Sequence, residues 1–520
     1  MELSRSAAGR PVIDRRSTPT MEGGSLAAAI FVLSLATFVS ILDTTIVNVA
    51  IPHIAGAFAA SPHEGTWAIT SYAVAEAFTV PLSGWLASRF GVVRMFLFAV
   101  IGFMIFSAAC GLATSLQMLV IFRVLQGLAG GPLMPMAQTL ILRIAPPAKV
   151  EMAMGLWMMT TILAPIAGPI LGGTLADTVG WRWAFYINIP VCIFCGIAAW
   201  RLLRTRETQI VKQPIDYVGM ILLAVWVGAL QIMLDNGENH DWFSSSFILT
   251  LFAIAVIGFV VFVIWEMTDR APVVDLRVFR HRTFTVCALA MTLTFGAFFA
   301  SIVLLPLWLQ INMGYTATLS GYILAFQAIL GIVVAPIAAG MMSKIDPRLM
   351  MSSGLAILAA VIFWRTGFAT NIGFNQMILP QLAMGLGIPL FFVPLMTLSM
   401  AAVKPSETAS ASGLINFLRT IASAIATALV VSAWNTATRE TRVDVVGNLR
   451  HSQDVLAGIQ SSGHSHAEAV RVLDAMVQQQ SLMLSTNHMS LVLSVIIAIA
   501  AVGIWLIPRP KAPSKVYMAH

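Results

Sequence analysis

Apolar blocks of about twenty residues, separated by short polar connectors, recur along nearly the whole of this chain. A helix of about twenty residues spans the roughly 30 Å hydrocarbon layer of a bilayer. Unpaired backbone groups cost several kcal/mol there, so only helices and closed barrels cross it. The blocks lack the period-two alternation of a barrel, which leaves helices. Composition agrees. Of 520 residues, 58% are hydrophobic and 10% charged, against about 25% charged in soluble proteins. The expected spans are 27–50, 67–87, 94–113, 117–141, 151–176, 184–203, 216–234, 246–265, 284–309, 318–342, 349–366, 377–400, 408–434 and 488–507.

Basic residues orient the spans. With the N-terminus inside, 22 of the 30 Lys and Arg fall in inside segments and 6 outside. Arg123 and Arg419 fall within spans. This is the asymmetry of cytoplasmic loops, and it places both termini in the cytoplasm. The net charge of +7 therefore reflects topology, and no basic cluster points to nucleic acid. Residues 1–26 are polar, with Arg5, Arg10, Arg15 and Arg16, and have no apolar core or cleavage site. They read as a disordered cytoplasmic tail rather than a signal peptide. Cys110, Cys192, Cys195 and Cys287 lie in apolar blocks and read as buried thiols, so no metal or cofactor is expected.

Two capping boxes mark helix starts, Ser61-Pro62-His63-Glu64 and Ser465-His466-Ala467-Glu468. The second lies in 435–487, the one long external segment, and precedes an apolar stripe of Val470, Leu473, Val477 and Leu484. A short external helix is expected there, either packed on the membrane domain or docking a partner.

Ionisable residues inside a membrane are functional candidates by default. Asp43, Glu76, Arg123 and Arg419 qualify. The alternatives are a static Asp43–Arg123 pair, a helix-bridging Arg419 and a Glu76 that only faces water. Gly168, Pro169, Gly172 and Gly173 interrupt the fifth block, where glycine allows close helix approach and proline bends the helix. No Gly-Lys pair occurs anywhere, so a phosphate-binding loop of an ATP-driven pump is absent. No histidine lies in the middle of a span, which argues against a haem subunit.

Several motifs together resemble the major facilitator superfamily, in its fourteen-helix drug:proton antiporter branch of the EmrB/QacA type. Leu42-Asp43-Thr44-Thr45-Ile46-Val47-Asn48-Val49-Ala50-Ile51-Pro52 is similar to that branch's first-helix signature. Arg123-Val124-Leu125-Gln126-Gly127 resembles the motif placing an arginine in helix four. Ala164-Pro165-Ile166-Ala167-Gly168-Pro169-Ile170-Leu171-Gly172-Gly173 resembles the antiporter motif, with Ala164 where glycine is usual. Trp181-Arg182-Trp183, Phe185 and Ile187-Asn188-Ile189-Pro190 resemble the opening of helix six. Gly84-Trp85-Leu86-Ala87-Ser88-Arg89-Phe90-Gly91-Val92-Val93-Arg94 resembles the switching loop, but Ser88 stands where an acid is usual. Arg89 and Arg94 remain for that role.

The resemblance implies an all-α membrane protein of fourteen helices, two six-helix halves plus an extra pair. It divides the chain into a tail 1–26, a first half 27–203, a linker and extra pair 204–265, a cytoplasmic loop 266–283, a second half 284–507 and a tail 508–520. It implies proton-driven efflux of hydrophobic, including cationic, drug-like compounds from the bacterial inner membrane. A periplasmic adaptor and an outer-membrane channel would be its partners. Export of an endogenous fatty acid, peptide or siderophore fits the same features, and uptake is disfavoured by the antiporter motif. Asp43 is the expected proton carrier, tuned by Arg123, with Glu76 recognising positive charge. Asn48, Trp157, Phe295, Phe299, Phe391 and Asn416 are expected to line the substrate pocket.

Overall fold

The computed structural model describes residues 20–508, apart from positions 61, 209, 211–213, 270–271, 343, 405–406, 449–451 and 463–464. The first capping box and most of both tails thus lie outside the described residues. The described residues are helical throughout their ordered elements. The first run is α1 (Gly23–Ala57), α2 (Pro62–Gly65), α3 (Trp67–Thr79), α4 (Ser83–Phe90), α5 (Val92–Gly111), α6 (Leu116–Gly130), α7 (Leu133–Ile144), α8 (Val150–Thr178), α9 (Trp183–Tyr186) and α10 (Asn188–Leu203). Next come α11 (Tyr217–Asn236) and α12 (Ser246–Thr268). The last run is α13 (Arg282–Ile311), α14 (Ala317–Met341), α15 (Pro347–Trp364), α16 (Phe374–Ala401), α17 (Thr408–Gly447), α18 (Ser452–Ser461) and α19 (His466–Gly503).

Local chemistry sets several starts. Ser115 accepts from Met118 N at the head of α6, Asp216 from Gly219 N at α11 and Thr316 from Leu319 N at α14. The Ser465 capping box forms as expected: Ser465 N donates to Glu468 at 2.8 Å, and Glu468 N donates back to Ser465 Oγ.

Twelve of these helical stretches are long and apolar enough to cross a membrane. The pieces Met152–Pro165 and Ile170–Ala176 of α8, bent by 42°, supply a thirteenth if counted as one span. The expected second span, 67–87, is divided. α3 has 13 residues and α4 has 8. Between them lies Val80-Pro81-Leu82, where Pro81 has no N–H to donate to the helix.

α1 lies along α8, and α13 packs on α17 and α19. α14 contacts both α16 and α8, so it joins the earlier bundle (α1–α10) to the later one (α13–α19). Helices α11 and α12 pack on each other, and α11 also reaches α3 and α17. α12 exposes Ile257, Phe259 and Ile264, as a lipid-facing helix does.

One end of the molecule is rich in arginine and tightly knit. There Met21 N donates to Ile144 O at 2.8 Å, Trp85 Nε1 to Pro214 O at 3.4 Å and Arg348 Nη1 to Ile507 O at 3.3 Å. Glu407 is gripped at the same end by Arg280, by His281 at 3.0 Å and by Lys404 N at 3.1 Å. Burial pushes its carboxyl up, but these donors outweigh that and hold it below the ordinary carboxylate range.

The segment 435–487 departs from expectation. Instead of a loop with one short helix, α17 runs 40 residues without a break and α19 runs 38. A 40-residue helix is about 60 Å long, roughly twice the hydrocarbon thickness. The two form a stalk, joined by Arg442–Asp474 at 2.5 Å and by Trp434 Nε1 donating to Thr486 Oγ1 at 2.9 Å. The expected stripe is also corrected. Val470 and Leu484 are exposed, while Ala469, Val477, Ser481 and Ser485 are buried. Helices in close contact bury small residues, which an apolar pattern overlooks.

Candidate functional site

Asp43 sits midway along α1 with no exposed surface. Arg123 Nη1 of α6 donates to its Oδ2 at 2.5 Å. Its Oδ1 accepts from Asn188 Nδ2 of α10 at 2.7 Å and from Gln126 Nε2 at 3.1 Å. Arg123 also donates to Ala68 O of α3 at 2.7 Å, and its guanidinium lies 4.3 Å from the Tyr72 ring centroid. Asn188 further bonds Ser107 of α5. Five helices of the earlier bundle thus meet on one ion pair, as the sequence motifs brought Asp43 and Arg123 forward. Removing one partner of such a buried pair typically costs about 3–5 kcal/mol.

Glu76 on α3 is half-buried. No hydrogen bond reaches its carboxylate among the described residues, and the largest charge acting on it is that of Arg419, ahead of Arg123. Of the two acids, Asp43 holds Arg123 by a direct hydrogen bond, and no ion pair joins Arg123 to Glu76 among the described residues. Arg419 crosses between bundles, donating to Met134 Sδ of α7 while lying 5.1 Å from the Phe295 ring of α13. Nearby, Gln138 Oε1 of α7 accepts from Ser412 Oγ at 2.6 Å and Asn416 Nδ2 at 2.8 Å. Asn416 thus forms part of a polar seam between bundles.

The seam continues toward the arginine-rich end. A Cβ on Gly84 of α4 would lie 2.6 Å from Ser410 Cα, and one on Gly413 would lie 3.1 Å from Val80 O. Only glycine lets α4 and α17 approach so closely.

A small apolar cavity of about 20 Å³ lies among Met158, Thr294, Phe295, Phe298, Leu358, Ile388, Phe391 and Phe392. That is room for about one water molecule, so no drug-sized ligand fits in this cavity as it stands. Phe295 and Phe391 line it, and Phe299 stacks on Phe295 with centroids 4.8 Å apart. Trp157 is elsewhere, its Nε1 donating to Thr37 of α1 at 3.1 Å. Asn48 is exposed on α1.

Among the residues expected to take part in switching, Gly168 and Gly172 face α1: a Cβ on Gly172 would lie 3.0 Å from Ile46 O, and one on Gly168 would clash with Thr45. Ala164 is four residues earlier, so 164, 168 and 172 form one small-residue stripe. Gly173 is half-buried, and Pro169 lies within the bent α8. Arg89 rests on its own helix, 5.6 Å from the Trp85 ring. Ser88 Oγ donates back to Gly84 O. The acid at the head of α5 is Glu207, which accepts from Val93 N at 3.0 Å and Arg94 N at 2.8 Å.

Sequence reasoning missed Gln126, Asn188, Gln138 and Glu207 as site residues. Gln126 and Asn188 stand inside motifs that were read for other positions. All four cysteines are buried and unpaired, and among the described residues no His, Cys, Asp or Glu cluster could hold a metal.

Residues 33–427 match the Major Facilitator Superfamily. The chain is 44% identical to the multidrug export protein EmrB of Haemophilus influenzae, over 80% of this chain and 82% of that protein. It is 39% identical to the fatty acid resistance protein FarB of Neisseria gonorrhoeae, over 95% and 98%. The fold matches the crystal structure of the human organic anion transporter MFSD10 (TETRAN) with a TM-score of 0.57 at 11% identity, covering 92% of this chain and all of that one. An all-helical bundle, its buried Asp43–Arg123 pair and these relatives agree: the chain belongs to the major facilitator superfamily and is of the EmrB type within it.

Proposed function

We propose that the chain exports hydrophobic drug-like compounds across the bacterial inner membrane in exchange for protons. The observation that carries this reading is the contrast between two acids inside the bundle, Asp43 buried and Glu76 half-buried. Asp43 is fixed by three N–H donors, whereas Glu76 has none and is opposed by a cation of the other bundle. Asp43 and Arg123 then form a permanent charge pair that shapes the site, and Glu76 is the acid free to exchange a proton. A proton on Glu76 removes its attraction for Arg419 and loosens the link between bundles. Proton entry supplies about 2.3 kcal/mol per 100 mV.

In this reading the chain has fourteen spans, counting α3 with α4 and both parts of α8, and both termini are cytoplasmic. Helices α1–α10 and α13–α19 are the two halves that rock about the substrate site. The seam through Gln138, Ser410 and Gly413 seals the cytoplasmic side, which makes this the outward-facing state. The stalk of α17 and α19, with Val443, Val446 and Met476 exposed, offers a surface for a periplasmic adaptor leading to an outer-membrane channel. The relatives' names, a multidrug exporter and a fatty acid resistance protein, support efflux of apolar compounds. The second of them also fits a fatty acid as cargo.

The test is transport in everted vesicles under an imposed pH gradient. Proton-dependent accumulation of a lipophilic dye that a protonophore abolishes is the expected result. Accumulation unaffected by the protonophore would exclude proton exchange.

A further inference from the structure

Arg365 closes α15 at the edge of its apolar block, yet it is only 6% exposed. Its Nη1 donates to Ser301 Oγ of α13 at 2.8 Å and its Nη2 to Met384 Sδ of α16 at 2.8 Å, both neutral acceptors. Its Nε has no hydrogen-bond partner among the described residues. Among the described residues no carboxylate forms an ion pair with it, in contrast to Arg123. A buried guanidinium with two neutral contacts and a vacant donor is costly by itself, and an anion relieves that cost.

Its position says what kind of anion. The apolar cavity is walled by Phe298 of α13, Leu358 of α15 and Ile388 of α16. Ser301 is about one turn beyond Phe298, Arg365 about two turns beyond Leu358 and Met384 about one turn beyond Ile388. All three displacements point toward the stalk end. Arg365 thus stands directly outward of the cavity, on the same three helices.

We propose that Arg365 binds the anionic head of an amphiphilic substrate whose apolar body occupies an expanded form of this cavity. The ligand class is an organic monoanion, such as a carboxylate on an aromatic or aliphatic body. The proposal rests on the efflux reading for its purpose but not for its test. Asp43, Glu76, Arg123 and Arg419 balance in charge when both acids are ionised, so Arg365 is the surplus cation among these five.

The experiment measures binding of 1-naphthaleneacetate and of its neutral isostere 1-naphthaleneacetamide to the full chain in lipid nanodiscs. Wild type should bind the acid about tenfold more tightly than the amide. Arg365→Gln should bring the acid down to the amide's level and leave the amide unchanged, and Arg365→Lys should retain part of the preference. Ser301→Asp keeps Arg365 in place but gives it an internal counter-ion, and should also abolish the preference. This second variant covers the case in which Arg365→Gln fails to fold. No preference in wild type, or a preference that survives Ser301→Asp, would overturn the assignment. Vesicle transport of a neutral dye by the same proteins reports separately: its loss in wild type would fault the efflux reading and leave the anion site standing.

Discussion

Asp43 and Glu76 are both acids inside the bundle, but their surroundings differ in kind. Three donors surround Asp43, so Asp43→Asn leaves Arg123 facing a neutral amide. The expected result is a loss of about 3–5 kcal/mol in stability as well as activity, seen as a lowered melting temperature in detergent. Glu76 carries no such network. Glu76→Gln should melt within about 1 kcal/mol of wild type and still bind dye, while proton-driven accumulation falls to the level seen with protonophore. A variant that still accumulates dye under the gradient would remove Glu76 from the coupling. Asp43 and Arg123 were legible because a charge in an apolar block stands out. Gln126, Asn188 and Gln138 were not, since an amide in a membrane helix is ordinary until its partner is known. Arg365 did not stand out because it sits at the edge of its block, where arginine normally reaches water.

Helices meet here through small residues more than through apolar stripes. On α8 the stripe 164–168–172 lies against α1, so Gly168→Val would drive side-chain atoms into Thr45. Overpacking of this kind usually costs 1–3 kcal/mol, and a drop in melting temperature with loss of transport is expected. Ala at the same place should be milder. The glycine spacing was readable in advance; which neighbour it serves was not, because one sequence carries no contact information. At the arginine-rich end, Glu407 holds Arg280, His281 and the Lys404 amide together ahead of α17. Its carboxyl is held below the ordinary range, so its contribution is present at neutral pH and is lost as pH falls through the folded value. Glu407→Gln should therefore lower the melting temperature at pH 7 and make little difference under strongly acidic conditions. An equal effect at both pH values would assign Glu407 a packing role instead.

For the whole molecule, the cross-bundle contacts cluster toward the arginine-rich end. Cysteines at Gln138 and Asn416 should crosslink readily in a background lacking the four native thiols. Oxidation should stop transport and reduction restore it; uninterrupted transport by the crosslinked protein would mean that the seam never opens. Replacing residues 448–465 by a short flexible linker removes α18 but leaves the two long helices. Vesicle transport should be spared and cellular drug resistance reduced, whereas unchanged resistance at equal expression would give the stalk tip no docking role. The spans were legible because hydrocarbon enforces long apolar runs. The stalk was not, since a helix in water needs no such run and its polar residues resemble a loop.

Helix α17 begins beside Gly84 at the seam, passes Asn416 and Arg419, and continues without a break to the tip of the stalk. Mechanically it is a lever of about 60 Å whose short arm lies in the gate. A tilt of about 10° at the seam would carry the tip sideways by roughly 10 Å, a displacement visible to any partner that grips it. Under the proposed rocking of the two halves, opening and closing of the seam would be written into the position of the stalk tip, and force applied to that tip would act back on the seam.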